Sequence, residues 1–162
     1  MTRTGLAVAR FSAAAWVGAA ALFVVTAVRE VTYAEFDSLT KDELALLRFP
    51  AYYAFGFVLV GLAFLSAVWA GCMERESRRR NSLAAGLLGI ALLLMGGDFV
   101  AVYSPMAKII TPPGQAHAAE FRSYHRASVW INVAHVGICA VAAMLLCWPA
   151  RRADIAGRSF VE

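Results

Sequence analysis

The sequence predicts an all-α integral membrane four-helix bundle, and three observations carry that reading. Of 162 residues, 60 % are hydrophobic and only 16 % charged, with a mean hydropathy of +0.63, a balance foreign to soluble domains. The apolar residues are blocked into runs at 11–28, 51–73, 83–97 extended to 103, and 127–150, each close to the roughly 20 residues that cross about 30 Å of hydrocarbon. Lysine and arginine are also divided unequally between the two sides that four crossings create. The helices are expected at about 10–32, 50–73, 82–104 and 116–149, within one domain covering 1–162.

The charge division sets the orientation. Arg3 and Arg10, then Arg75, Arg78, Arg79 and Arg80, then Arg151, Arg152 and Arg158 share one side, nine in all. Arg29, Lys41, Arg48, Lys108, Arg122 and Arg126 share the other, six in longer connections. The positive-inside bias therefore places both termini in the cytoplasm, in a membrane read as the bacterial inner (plasma) membrane. Topology accounts for the net charge of +4, and no nucleic-acid partner is implied; the expected partner is the lipid bilayer.

The first run follows Arg3 and Arg10 as an h-region follows an n-region, but its 18 residues exceed the usual 7 to about 15. Arg29-Glu30 stands where a cleavage site would lie, so a retained helix is expected. Ala14-x-x-x-Gly18 and Ala15-x-x-x-Ala19 offer small-residue spacing for a helix neighbour. Next, Thr40-x-x-Glu43 reads as a capping box that starts a short surface helix before Pro50, which would occupy the first turn of the second span. Tyr33, Tyr52, Tyr53, Tyr103 and Tyr124 all map to the outer end, and Trp69 and Trp148 to the inner one, as interfacial belts.

In the third helix Gly86, Gly89, Gly96 and Gly97 fall within roughly a 100° arc, which reads as a smooth packing face, and Asp98 points nearly the opposite way. A carboxylate in a membrane segment is a functional-site hypothesis. The turn cluster Thr111-Pro112-Pro113-Gly114 precedes the fourth helix. There, at about 100° per residue, His125, Ser128, Asn132 and His135 share roughly an 80° arc, which collects His117 and Phe121 outward and Cys139 inward. This polar stripe leads from the outer surface toward the middle of the membrane. Cys72, Cys139 and Cys147 lie in or at the ends of helices, so free thiols are expected.

Trp16-x-Gly18, Phe23, Arg29, Phe49-Pro50-x-Tyr52-Tyr53, Tyr103-x-Pro105-Met106 and Phe121-x-x-Tyr124-His125-x-x-Ser128-x-x-x-Asn132, in this order, resemble the transmembrane-protein-205-like family, a four-helix membrane domain of unknown function. The resemblance implies the fold and the prominence of Arg29, Pro105, His125, Ser128 and Asn132, and supplies no activity. The helix-one Trp-x-Gly is also similar to that of the copper-resistance D and membrane protoporphyrinogen-oxidase group. The haem-ligating histidine of the latter has no counterpart here, where Arg10 occupies the region.

The function expected first is a polytopic protein whose outward-facing polar pocket binds or passes a small solute or metal ion. Its ligand-binding residues would be His125, Ser128, Asn132, His135, Arg29, Asp98 and Tyr124, with His135 and Cys139 as weak metal candidates. The alternative is an accessory or assembly subunit of a larger membrane complex, or a homo-oligomer, in which the stripe is interhelical glue. Third comes a haem- or quinone-dependent oxidoreductase. No Gly-rich phosphate loop, His-Glu-x-x-His, Cys-x-x-Cys or nucleophile elbow occurs, so the reading leans away from an enzyme, with no catalytic residues and no cofactor assigned.

Overall fold

The computed structural model describes residues 2–73, 77–115 and 119–148. His117, the expected start of the fourth helix at 116 and its end at 149, Arg75 and the three C-terminal arginines lie outside them. Four long helical segments run α1 (Thr2–Thr32), α2 (Ser38–Met73), α3 (Arg78–Asp98) continued by a π-helical turn (Phe99–Tyr103) and α4 (Ser104–Ile109), then α5 (Ala119–Cys147). α1 packs on α2, α2 on α3, α3 on α5, and α5 closes the ring against α1. Four helices are long and apolar enough to cross a membrane.

The helices are longer than the apolar runs alone predict. α2 is continuous through Pro50, so no separate surface helix precedes the second span. Its N-terminus is capped three residues earlier than the Thr40-x-x-Glu43 box places it: Asp37 Oδ1 accepts the Thr40 N–H at 2.8 Å. That bond to the charged form holds the exposed Asp37 carboxyl below the usual carboxylate range. Asp42, one turn on, accepts the Gly114 N–H at 2.9 Å and ties the loop before α5 to the start of α2. Gly114 has φ +84°, a left-handed conformation that suits glycine.

Alanine fills much of the core: Ala9, Ala13 and Ala20 on α1, Ala63, Ala67 and Ala70 on α2, Ala84 and Ala91 on α3, Ala142 on α5. Small side chains let backbones approach, which matters in lipid because no hydrophobic force separates helix from tail. The large apolar side chains point out instead, among them Phe11, Leu22, Leu65, Leu93 and Trp130. Of the most apolar 18-residue window of each helix only 22–33 % is buried, the inverse of a water-soluble bundle.

Two of the basic residues on the side with nine also finish a helix. Arg10 Nε donates to the Leu146 carbonyl at 2.7 Å and Arg80 Nη1 to the Trp148 carbonyl at 2.6 Å, satisfying orphan acceptors at the C-terminal end of α5. At the other end Glu30 pairs with Arg48, whose guanidinium lies 5.7 Å from the Phe23 ring centre. Glu30 therefore pairs across to α2, and Arg29 is exposed.

The glycine face of α3 does not pack as expected. A Cβ on Gly86, Gly96 or Gly97 would meet nothing within 4 Å, and Gly89 alone of the four approaches a neighbour, Phe64. The reason is the residue opposite: Asp98 must turn inward, which sends the glycines toward lipid. The close approach is on α2 instead. A Cβ on Gly56 would stand 2.6 Å from Trp16 Cη2 and 3.0 Å from Met95 Sδ, so glycine there seats the indole.

Candidate functional site

Asp98 is fully buried. Its Oδ2 accepts three hydrogen bonds, from Tyr53 Oη at 2.6 Å on α2 and from Ser128 Oγ at 3.1 Å and Asn132 Nδ2 at 2.7 Å on α5. The network extends one step further, where Tyr52 Oη donates to Asn132 Oδ1 at 2.9 Å. Asn132 Nδ2 also reaches the Ser128 carbonyl at 2.9 Å, which fixes the amide on its own helix. Asp98 Oδ1 is buried without a hydrogen-bond partner, and no lysine, arginine or histidine forms an ion pair with Asp98 among the described residues.

Helical spacing explains the α5 contributions. Ser128 and Asn132 are one turn apart and present hydroxyl and amide to the same point. Tyr53 follows Pro50 by three residues on α2, at the depth of Asp98. The π-helical turn follows Asp98 directly. Ser104 N–H bonds to the Phe99 carbonyl, five residues back, and Ser104 Oγ donates to the same carbonyl at 2.7 Å. Pro105 supplies the cause, since it has no N–H for Ala101 and its ring would crowd that carbonyl in an unbroken α-helix. In an α-helix, residues five apart diverge by about 140° at 100° each. The wider turn lets Asp98 and Tyr103 both be buried.

Aromatic rings wall the centre. Tyr53 lies 5.1 Å from Phe99 and 5.2 Å from Tyr103, and Tyr52 lies 4.3 Å from Phe23 and 4.9 Å from Trp16, centre to centre. His135, one turn below Asn132, is completely buried and stacked on Trp16 at 5.9 Å. Both its ring nitrogens and Trp16 Nε1 are buried without hydrogen-bond partners. Cys139, another turn deeper, is a buried free thiol. Among the described residues no group of three or more His, Cys, Asp or Glu side chains is placed to hold a metal ion.

No protein-family model, curated protein or solved structure matches the chain.

The geometry joins some of the expected residues and separates others. Ser128, Asn132 and Asp98 meet in one network, with His135 adjoining. His125 is exposed and stacks on Phe121 at 5.9 Å, outside that network. Arg29 is exposed, and Tyr124 is half-buried against the core with no hydrogen bond to the centre. The residues that sequence reasoning missed are Tyr52, Tyr53 and Trp16. Both tyrosines read as interfacial belt but are buried. The signal was available in depth: Tyr52 and Tyr53 start the second span where Asp98 ends the third, and a buried carboxylate needs donors.

Proposed function

We propose that the protein is a polytopic membrane protein that binds and passes a small cationic solute at the Asp98 centre. The observation that carries the reading is an uncompensated carboxylate: Asp98 is buried, holds three neutral donors on Oδ2, has Oδ1 unpaired and meets no basic side chain among the described residues. Burying a charge without a counter-charge costs several kcal/mol or more. A bound cation supplies that counter-charge. Tyr53, whose hydroxyl holds the carboxyl, packs against Phe99 and Tyr103, and such an aromatic cluster favours an organic cation over a bare ion.

Ser128, Asn132 and Tyr53 then act as positioning residues. They occupy Oδ2 and leave Oδ1 to the cation, while Tyr52 orients the Asn132 amide from behind. The centre is closed to solvent here, so passage requires the aromatic wall to open. The chain's placement in an inner (plasma) membrane, and its kinship with the transmembrane-protein-205-like family through the motifs around Tyr52, Pro105 and Asn132, belong to the same proposal.

One observation favours the subunit reading. Tyr52, Tyr53, Ser128 and Asn132 are all satisfied inside the chain, as glue between α2, α3 and α5 would be. Proteoliposomes separate the two. Full-length protein reconstituted with tetramethylammonium, ethylammonium, sodium or potassium outside should accumulate at least one of them, and Asp98→Asn should abolish that uptake. Uptake of none of the four, or equal uptake by Asp98→Asn, would leave the glue reading in its place.

A further inference from the structure

The face of α5 turned away from the Asp98 centre carries a second constellation. Ala119, Arg122, Ser123, Arg126, Ala127 and Trp130 line a shallow surface groove. Arg122 and Arg126 are four residues apart and both exposed, and Trp130 stands one turn deeper with 69 % of its surface exposed. Neither guanidinium has an ion-pair or hydrogen-bond partner among the described residues. Glu120, the nearest acidic residue in sequence, lies two residues from Arg122 and so about 160° round the helix from it.

The depth of the groove follows from the charge pattern. From 127 to 147 α5 has no Asp, Glu, Lys or Arg, a length of about 31 Å at 1.5 Å per residue, which matches the hydrocarbon thickness. Arg126 therefore sits at the hydrocarbon boundary, Arg122 about 6 Å further out and Trp130 about 6 Å further in. Below them Val133, Gly137 and Met144 continue on the same face, all within roughly an 80° arc from Arg122. All three are exposed, and a Cβ on Gly137 would meet nothing within 4 Å. Helical side chains tilt toward the N-terminus, here outward, so the strip has two cations reaching to phosphate depth, an aromatic ring just below the esters and a notched apolar track beneath.

We propose that this face is a binding site for one anionic glycerophospholipid of the bilayer. Arg122 and Arg126 hold its phosphate, because guanidinium forks match phosphate oxygens in charge and spacing, while the Ser123 hydroxyl stays on the Glu120 carbonyl at 2.7 Å. Trp130 packs just below the glycerol esters. One acyl chain lies along Val133 and Gly137, the deeper of which is about 16 Å below Arg126 and so within the depth of one leaflet. A membrane lipid is the occupant because the track below the arginines is apolar over the depth of a leaflet, whereas an inorganic anion or acidic peptide would use only the upper two turns. The site is independent of Asp98, since Ser128 and Asn132 leave α5 on the opposite side.

Quenching of Trp130 tests it. In a Trp69→Phe, Trp148→Phe background Trp130 is the exposed tryptophan that remains, Trp16 being buried. Full-length protein is reconstituted in phosphatidylcholine vesicles containing increasing fractions of phosphatidylglycerol brominated on its acyl chains, with brominated phosphatidylcholine as the reference. Half-quenching should occur at about a tenfold lower fraction of phosphatidylglycerol. Arg122→Gln, Arg126→Gln, a double change at exposed positions, should remove that preference, and added inorganic phosphate should not compete. Equal quenching by the two lipids, or a preference that survives the double change, would overturn the proposal. Competition by inorganic phosphate would also overturn it, by showing an anion site that needs no lipid.

Discussion

Tyr53 on α2 donates a 2.6 Å hydrogen bond to Asp98 on α3, and that bond joins two helices at a fully buried carboxylate. The same oxygen draws Ser128 and Asn132 from α5, so three helices converge on a single atom. Such bonds average about 0.6 kcal/mol in membrane bundles and reach about 1.7. Tyr53→Phe should therefore lower stability against denaturing detergent by about 0.6–1.7 kcal/mol. In a double-mutant cycle with Asn132→Ala the losses should not add, because both residues serve the same oxygen. Strict additivity would show that they do not share it.

Gly56 and Gly97 make a contrasting pair. A methyl on Gly56 would collide with the rigid Trp16 indole, whereas one on Gly97 would enter open space. Gly56→Ala should cost about 1–3 kcal/mol by overpacking, while Gly97→Ala should be neutral or slightly stabilising, since alanine is the better helix former. Unfolding in mixed micelles reads both, and equal effects would mean that Trp16 is not seated against α2.

The fold was legible in the sequence because hydrocarbon thickness imposes a length that four apolar runs meet. The polar stripe was legible for a similar reason, since helical spacing alone puts Ser128, Asn132 and His135 on one face. What the pattern could not carry was direction. Gly86, Gly96 and Gly97 read as a packing face and Tyr52 and Tyr53 as a belt, yet the glycines meet open space and the tyrosines point to the core. Both reversals have one cause: a buried carboxylate turns its helix by its own cost and recruits donors from neighbours. His125 and Arg29 failed to join the centre because they lie beyond the depth at which water is excluded, where exposure costs nothing.

The cap at the start of α2 should be sensitive to acid. Asp37 has a lowered pKa because it accepts the Thr40 N–H, so its contribution is present above the unfolded carboxylate value and is lost as pH falls through the folded one. Hydrogen exchange at the Thr40 amide, corrected for intrinsic rate, should accelerate toward acid pH. Asp37→Ala should show the fast rate at every pH. Unchanged protection in that variant would place the cap elsewhere.

The nine-to-six division of basic residues predicts that the start of α2, with Thr40, is outside and the start of α3, with Arg79, is inside. With the native cysteines replaced, Thr40→Cys should react with a membrane-impermeant maleimide on intact cells and Arg79→Cys only after permeabilisation. The reverse pattern would invert the orientation and put the Asp98 centre near the cytoplasmic face.

The central claim is that Asp98 holds a cation, and direct binding tests it most closely. Calorimetric titration of the purified full-length protein with the cation taken up by proteoliposomes should give a saturable isotherm. That isotherm should be lost in Asp98→Asn, which keeps shape and hydrogen-bonding capacity but removes the charge, and regained in part in Asp98→Glu. Binding to Asp98→Asn with the affinity of the unaltered protein would contradict the account.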